Sequence, residues 1–386
     1  MKILMLHPHD LWYDPWTIRI LELARGLQRR GHNAILCHMP RKDKPEHGHL
    51  RTRQPDDPLV YELLPRQKHF LHNYRLLCQL GLDCDILYLQ KCFPASTLPL
   101  LWAAQRLKKP LHYDWDDNET ALARIVEKRF FSRFQLASYE RLLPRFASTL
   151  TYSSEALKQK ALQAGFDPRL MRHLPVGADV QRFRPDLDGD AERKALELSP
   201  DKLVVLYLGQ LEGAAHARRL VEAAPLVLAH APDVQFLFAG GGEQLPELRR
   251  LAAASPAAHA IKITGYVEAS RVPGVITAAD ICVACFDDDE ASRCKSPLKI
   301  AEYLACGKPI VASRVGDAAW MTEGCGAVVK PGDLSSLADG ILQYALDPSR
   351  RKRDGEKARR RALELFTWDR GSETLIELFE ETILQR

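Results

Sequence analysis

Long apolar runs are missing from this chain. Nothing in its 386 residues approaches the roughly 20 consecutive apolar residues of a membrane-spanning helix. The opening Met1-Lys2-Ile3-Leu4-Met5-Leu6 stops at His7-Pro8-His9-Asp10, too soon for a secretory leader, and reads instead as a buried strand. The nine cysteines are odd in number and scattered, which suits a reducing cytoplasm rather than a disulfide framework. Cys282 and Cys285 have a Cys-x-x-Cys spacing, but no second pair completes a zinc site, so they read as core cysteines. Gly240-Gly241-Gly242 runs on into Glu243-Gln244-Leu245 without Gly-x-Gly-x-x-Gly spacing. That speaks against a nicotinamide site and leaves a tight turn as the reason for the glycines. No RNA-recognition motif accompanies the basic segments, so no nucleic-acid partner is expected.

What is present is a soluble composition, 46% hydrophobic and 27% charged, on a chain long enough for two cores. Charge is uneven. Residues 1–185 carry 29 Lys and Arg against 19 Asp and Glu, and the remainder carries 25 against 31. A basic first half suits a phosphate-bearing or membrane-surface partner, or it is only a solvated face. Strand-like runs at 2–6, 34–37, 85–89, 111–113 and 148–152 alternate with helical periodicity. Residues 38–60 read as a long loop. Turn-rich Arg184-Pro185-Asp186-Leu187-Asp188-Gly189-Asp190 marks a boundary. A second alternation follows, with runs at 203–208, 234–239, 261–263, 280–284, 309–312 and 327–329. Alternating βα units imply parallel sheets, whose ligands bind beyond the carboxyl ends of the strands.

The most informative stretch is 296–313. Ser296-Pro297-Leu298-Lys299 reads as a loop entering a helix, with Pro297 in the first turn. Gly307 and Pro309 end that helix before the strand Ile310-Val311-Ala312. Free N–H groups at the helix start attract an anion, Lys299 adds a formal charge, and Glu302 follows one turn after Leu298. A diphosphate grip beside a carboxylate for hydroxyls suits a nucleoside diphosphate.

In order and spacing the chain resembles the retaining, nucleotide-sugar-dependent glycosyltransferases of family 4. Leu23-Ala24-Arg25-Gly26-Leu27 and Arg30-Gly31-His32, then Leu174-Pro175-Val176-Gly177-Ala178-Asp179 with Phe183 and Pro185, carry the resemblance. So do Thr264-Gly265-Tyr266-Val267, residues 296–313, Pro331-Gly332-Asp333 and Phe366-Thr367-Trp368. The resemblance implies an α/β fold of two Rossmann-like domains facing across a cleft (GT-B), with a C-terminal helix crossing back to the first domain. The domains expected are 1–183 for the acceptor, 184–365 for the nucleotide-sugar donor, and 366–386 for the returning helix. The chain departs from the family at several points. Cys294 stands where the first of two acids is usual, Gln210 and Ala215 where an Arg and a Lys are usual, and Asp116 where a His is usual. The first glycine pair is replaced by Asp14-Pro15-Trp16.

The implied activity is transfer of a sugar from a nucleotide-diphosphate donor to a hydroxyl acceptor, in polysaccharide or glycolipid assembly. Asp116 and Lys299 are the expected catalytic residues. Ser296, Pro297, Leu298, Lys299, Glu302, Gly209, Gln210, Arg218 and Tyr266 are expected at the donor. Trp16, Arg19 and Asp114 are expected at the acceptor. No cofactor is expected and the resembled fold works without metal, although the acids 114, 116, 117 and 119 offer metal-type ligands. For Asp117 and Glu119 a solvated acidic loop is the other reading. Lys128-Arg129-Phe130-Phe131-Ser132-Arg133-Phe134 lies in a helix expected over about 121–143. Either that face meets an anionic membrane or a lipid-linked acceptor, or the phenylalanines pack inward. The expected location is cytoplasmic, with peripheral contact at the inner membrane face. Two other classes stay open, a non-catalytic nucleotide-sugar or glycan-binding protein and a sugar-nucleotide epimerase.

Overall fold

The computed structural model describes residues 1–41, 51, 53–54, 57–127, 129–211 and 216–384. The chain forms two compact units. The first comprises Met1–Val176, Cys294–Ser296 and Trp368–Arg386; the second comprises Gly177–Arg293 and Pro297–Thr367.

The first unit holds seven strands: β1 (Lys2–His7), β2 (Asn33–His38), β3 (Leu59–Glu62), β4 (Ile86–Gln90), β5 (Leu111–Trp115), β6 (Thr149–Tyr152) and β7 (Met171–His173). Their order is β3-β2-β1-β4-β5-β6-β7, and every pairing is parallel. Helices cover both faces, so β1 and β4 are largely apolar and buried, and β5 is buried throughout although it carries His112 and Asp114. Each fully buried Leu or Ile there contributes about 1.5–3 kcal/mol. The strand order reverses between β1 and β4, and the crevice where ligands settle opens beyond that switch point.

The second unit repeats the scheme with β8 (Leu203–Leu208), β9 (Val234–Ala239), β10 (Ile261–Gly265), β11 (Ile281–Ala284), β12 (Ile310–Ser313) and β13 (Gly326–Val329). Their order is β10-β9-β8-β11-β12-β13, so its switch point lies between β8 and β11. Cys282 and Cys285 are buried in its core.

The chain enters the second unit at Gly177, ahead of the turn-rich 184–190. Ala178 pairs there with Thr367, and Arg359 donates to the carbonyls of Val180 and Phe183. The chain returns to the first unit at Trp368. The last helix, Trp368–Leu384, packs on the helix Ile18–Arg29. Gly26 allows the close approach, because a Cβ there would strike the Ser372 hydroxyl.

Two expectations change, and a third lies largely outside the described residues. Strands β3 and β7 are additional, and both are sheet edges. β3 is largely exposed and β7 has three residues, so neither shows a buried apolar run. Within the loop read over 38–60, residues 42–50, 52 and 55–56 lie outside the described residues. The single helix expected over 121–143 is two, Glu119–Val126 and Phe130–Leu142. The break falls where Glu127 and Arg129 take extended backbone, with the Arg129 N–H bonded to Glu127 Oε1 at 2.8 Å.

Candidate functional site

In the second unit, the helix Leu298–Ala305 begins after Pro297, which stands at the N-cap rather than in the first turn. The Ile300 N–H bonds back to the Pro297 carbonyl at 3.0 Å. Lys299 reaches the switch point from this helix. Its Nζ sits 4.1 Å from the Tyr207 ring centre on β8 and 6.0 Å from that of Phe286, just beyond β11. It also lies against the backbone of Gly209, where a Cβ would come within 2.7 Å of Nζ. Gly209 takes φ +151°, and a Cβ on Gly240 would run into the Gly209 carbonyl oxygen. Two strand-end glycines therefore let the β8 and β9 loops close up beneath the ammonium.

Glu302 is half-buried one turn along. Tyr303, beside it, is wholly buried, and its hydroxyl accepts from the Leu208 N–H at 2.9 Å, which ties the helix to β8. Tyr266 is 37% exposed and packs by Gly241. Gln210 is exposed. Arg218 binds Glu222 on its own helix at 2.6 Å. Arg219, on the same helix, reaches Asp287 beyond β11 at 3.1 Å. Ala215 lies outside the described residues.

Ser296 belongs to the first unit, where its hydroxyl accepts from the Val176 N–H at 3.2 Å. Cys294 is buried there too, 3.6 Å from the Asn118 amide nitrogen that donates to its sulfur. It offers no carboxylate and no exposed surface.

The first unit gathers its polar groups beyond β1, β4 and β5. Arg19 and Asp114, both expected at the acceptor, are buried and paired with each other. The Arg19 guanidinium grips Asp114 bidentately, Nε to Oδ2 at 2.7 Å and a terminal nitrogen to Oδ1 at 2.8 Å. Tyr88 donates to the same carboxylate at 2.5 Å and Thr151 at 2.7 Å. Burial opposes the Asp114 charge, but Arg19 and these donors outweigh it and hold its pKa below the ordinary aspartate value. Every lone pair is engaged in bracing β4, β5 and β6. Trp16 remains 37% exposed, edge-on to His9 at 5.7 Å.

Of the two acids read as a solvated loop, Asp117 keeps 28% of its side chain exposed, whereas Glu119 is not solvated. Glu119 is 6% exposed and opens the helix capped by Asn118, whose side chain accepts from the Ala121 N–H at 3.0 Å. Asp116 Oδ2 accepts from the Gln90 amide at 2.6 Å. Burial pushes the Asp116 carboxyl up to about 6 against the pull of Lys91, with Asp117 adding to the rise. Burial likewise pushes Glu119 up to about 8. Lys91, which the sequence reading did not single out although it directly follows β4, is 4% exposed. Its Nζ stands 3.3 Å from Asp116, 3.3 Å from Asp117 and 2.5 Å from Glu119. Among the described residues, His7 Nε2 and Gln90 Oε1 are buried without a hydrogen-bond partner, and Asp116 Oδ1 has only the Lys91 ion pair. Such atoms at three strand ends fit a ligand rich in hydroxyls.

The phenylalanines of the helix Phe130–Leu142 do not pack inward. Phe130, Phe131 and Phe134 are 75%, 73% and 62% exposed. Lys128 lies outside the described residues.

Comparison with known proteins agrees with this architecture. Residues 17–177 match the family described as glycosyl transferase 4-like domain, and residues 202–347 match glycosyl transferases group 1. Together the two cover most of the chain, which belongs to the group 1 glycosyltransferases. A GDP-mannose-dependent monoacylated alpha-(1-6)-phosphatidylinositol monomannoside mannosyltransferase of Corynebacterium glutamicum is 29% identical over 236 residues, 60% of this chain and 61% of that protein. The chain thus spans about three-fifths of the length of the first curated relatives it matches. A glycosyltransferase of Rickettsia africae superimposes with a TM-score of 0.76 at 18% identity, over 99% of this chain and 98% of that one. The Anabaena protein Alr3699/HepE in complex with UDP gives 0.74 at 20% identity, over 99% and 100%. These structures show the fold, which is GT-B. No helix among the described residues is long and apolar enough to cross a membrane.

Proposed function

We propose that this chain is a retaining glycosyltransferase that moves a sugar from a nucleotide-diphosphate donor to a hydroxyl of a glycolipid or polysaccharide acceptor. The observation that carries the reading is the Lys299 ammonium at the switch point of the second sheet, over Tyr207 and against Gly209. Charge leaves on the nucleoside diphosphate as the glycosidic bond breaks, and a preorganised cation with helix-start N–H groups stabilises it there. Glu302, one turn further, supplies a carboxylate for the ribose hydroxyls. GDP-mannose in the name of the Corynebacterium relative and UDP on the Anabaena protein support a nucleoside diphosphate in this role. Departing phosphate oxygen takes the acceptor proton in a front-side transfer, so the chemistry calls for no cofactor. In the first unit, Asp116 and the orphaned His7 and Gln90 atoms orient hydroxyls.

A membrane-bound acceptor accounts for the exposed Phe130, Phe131 and Phe134 among Arg129 and Arg133, aromatic and cationic groups that suit an anionic lipid surface. The inner, cytoplasmic face fits nine cysteines that form no disulfide. Buried Cys294 favours a second reading, a nucleotide-sugar-binding protein without turnover.

A thermal-shift screen against nucleoside diphosphates, followed by donor turnover with mixed glycolipid and glycan acceptors, tests the proposal. A ligand at 100 times its Kd stabilises by about 2.7 kcal/mol. Stabilisation with sugar transfer supports the enzyme. Stabilisation with no transfer or donor loss supports the binding protein, and no stabilisation by any nucleotide contradicts both.

A further inference from the structure

We infer that Lys91 is a built-in cation that takes the place of a divalent metal among Asp116, Asp117 and Glu119 and positions those carboxylates. Ligand oxygens of the three acids all lie within 4.8 Å of one another, close enough to share one hard cation. Lys91 Nζ already lies within ion-pair distance of each of them. Sheet register puts it there. Gln90, the last residue of β4, pairs with Asp114 on β5, so Lys91, which follows it, stands beside the turn that carries the acids.

The backbone shows that the placement is imposed. Lys91 takes φ +66°, one of four non-glycine residues with positive φ among those described. Such a conformation is strained for a non-glycine residue and persists only where the surroundings over-determine it. The neighbouring acid does not compete for the ammonium. Glu140 instead accepts from the Glu119 and Thr120 N–H groups and the Trp115 indole. His7 and His9, facing Lys91 from β1 and its loop, are kept neutral by burial first and then by nearby positive charge, that of Lys91 included. One ammonium therefore serves three carboxyl groups. Its attraction to Asp116, Glu119 and Asp117 outweighs the burial that works against it and holds its pKa well above the ordinary lysine value. The cation's place stands on this geometry alone; its service to an acceptor hydroxyl through Asp116 rests on the proposed transferase reading.

Lys91→Gly tests it, because glycine accepts the backbone angle and vacates the centre. Mn²⁺ titration followed by electron paramagnetic resonance should leave the ion free with the wild type. Lys91→Gly should bind one Mn²⁺ per chain at least tenfold more tightly, with a rise in melting temperature. Adding Asp116→Asn to Lys91→Gly should abolish that binding. A variant that does not fold alone is expressed and refolded with Mn²⁺, where recovery of the fold supports the inference and failure to recover at any Mn²⁺ concentration overturns it. Stoichiometric Mn²⁺ on the wild type that is lost in Asp116→Asn overturns it as well, as does a folded Lys91→Gly that binds none. None of these readouts requires sugar transfer, so their failure is separable from failure of the proposed reaction.

Discussion

Lys299 and Gly209 are in contact such that residue 209 has no room for a side chain: a Cβ would stand 2.7 Å from the ammonium nitrogen and 3.2 Å from Cε. Gly209→Ala should displace Lys299 and weaken nucleoside diphosphate binding, while Lys299→Ala should weaken it by about 1.5–3 kcal/mol, as for a lost hydrogen bond to a charged group. Calorimetry with the diphosphate and the bare nucleoside checks both, and equal losses for the two ligands would contradict a phosphate role for Lys299.

Glu302→Ala should cost nucleotide affinity by a similar amount, with little change in melting temperature because the side chain is half-buried at the helix surface. Unchanged affinity would remove Glu302 from the site.

Arg19→Met should destabilise the protein by about 3–5 kcal/mol, since it strands the Asp114 carboxylate without its buried partner. Arg19→Lys should recover only part, because an ammonium cannot reproduce the bidentate grip. Urea unfolding measures both; full stability with lost activity would instead return Arg19 to the substrate.

Glu119→Gln should flatten the pH dependence of stability. Glu119 is raised to about 8 in the fold from near 4.5 unfolded, so its favourable contribution is complete below pH 4.5 and is lost as pH rises through 8. Relative to wild type, the variant should gain stability steadily from pH 5 to pH 8.5 in thermal melts. A constant offset across that range would show that Glu119 does not titrate there.

Replacing Phe130, Phe131 and Phe134 together with serine should release the protein from phosphatidylglycerol vesicles while leaving the melting temperature nearly unchanged, because all three are exposed. Phosphatidylcholine vesicles should bind neither form. Sedimentation that is equal for both forms on anionic vesicles would exclude this face.

Periodicity in the chain already specified much of this. Buried parallel strands read as continuous apolar runs, so β1, β4, β8, β9 and β12 were legible, as was the helix carrying Lys299 and Glu302. Edge strands β3 and β7 were not, because one is exposed and the other short. Asp116 was visible as an unusual acid in an acidic run. Its partners were not, because Gln90 and Lys91 come from another strand and only sheet register brings them alongside.

By itself the order of residues determined two βα units and the segment suited to a diphosphate, since local periodicity, caps and helix-start chemistry act over a few neighbours. Tertiary structure alone decided the fate of the charges. Arg19 and Asp114 lie 95 positions apart and look like surface ligands until folding buries them together. Lys91 becomes the centre of three carboxyl groups, and three phenylalanines stay in solvent. Burial and pairing set the energy of a charged or aromatic group, and both depend on neighbours distant in the chain.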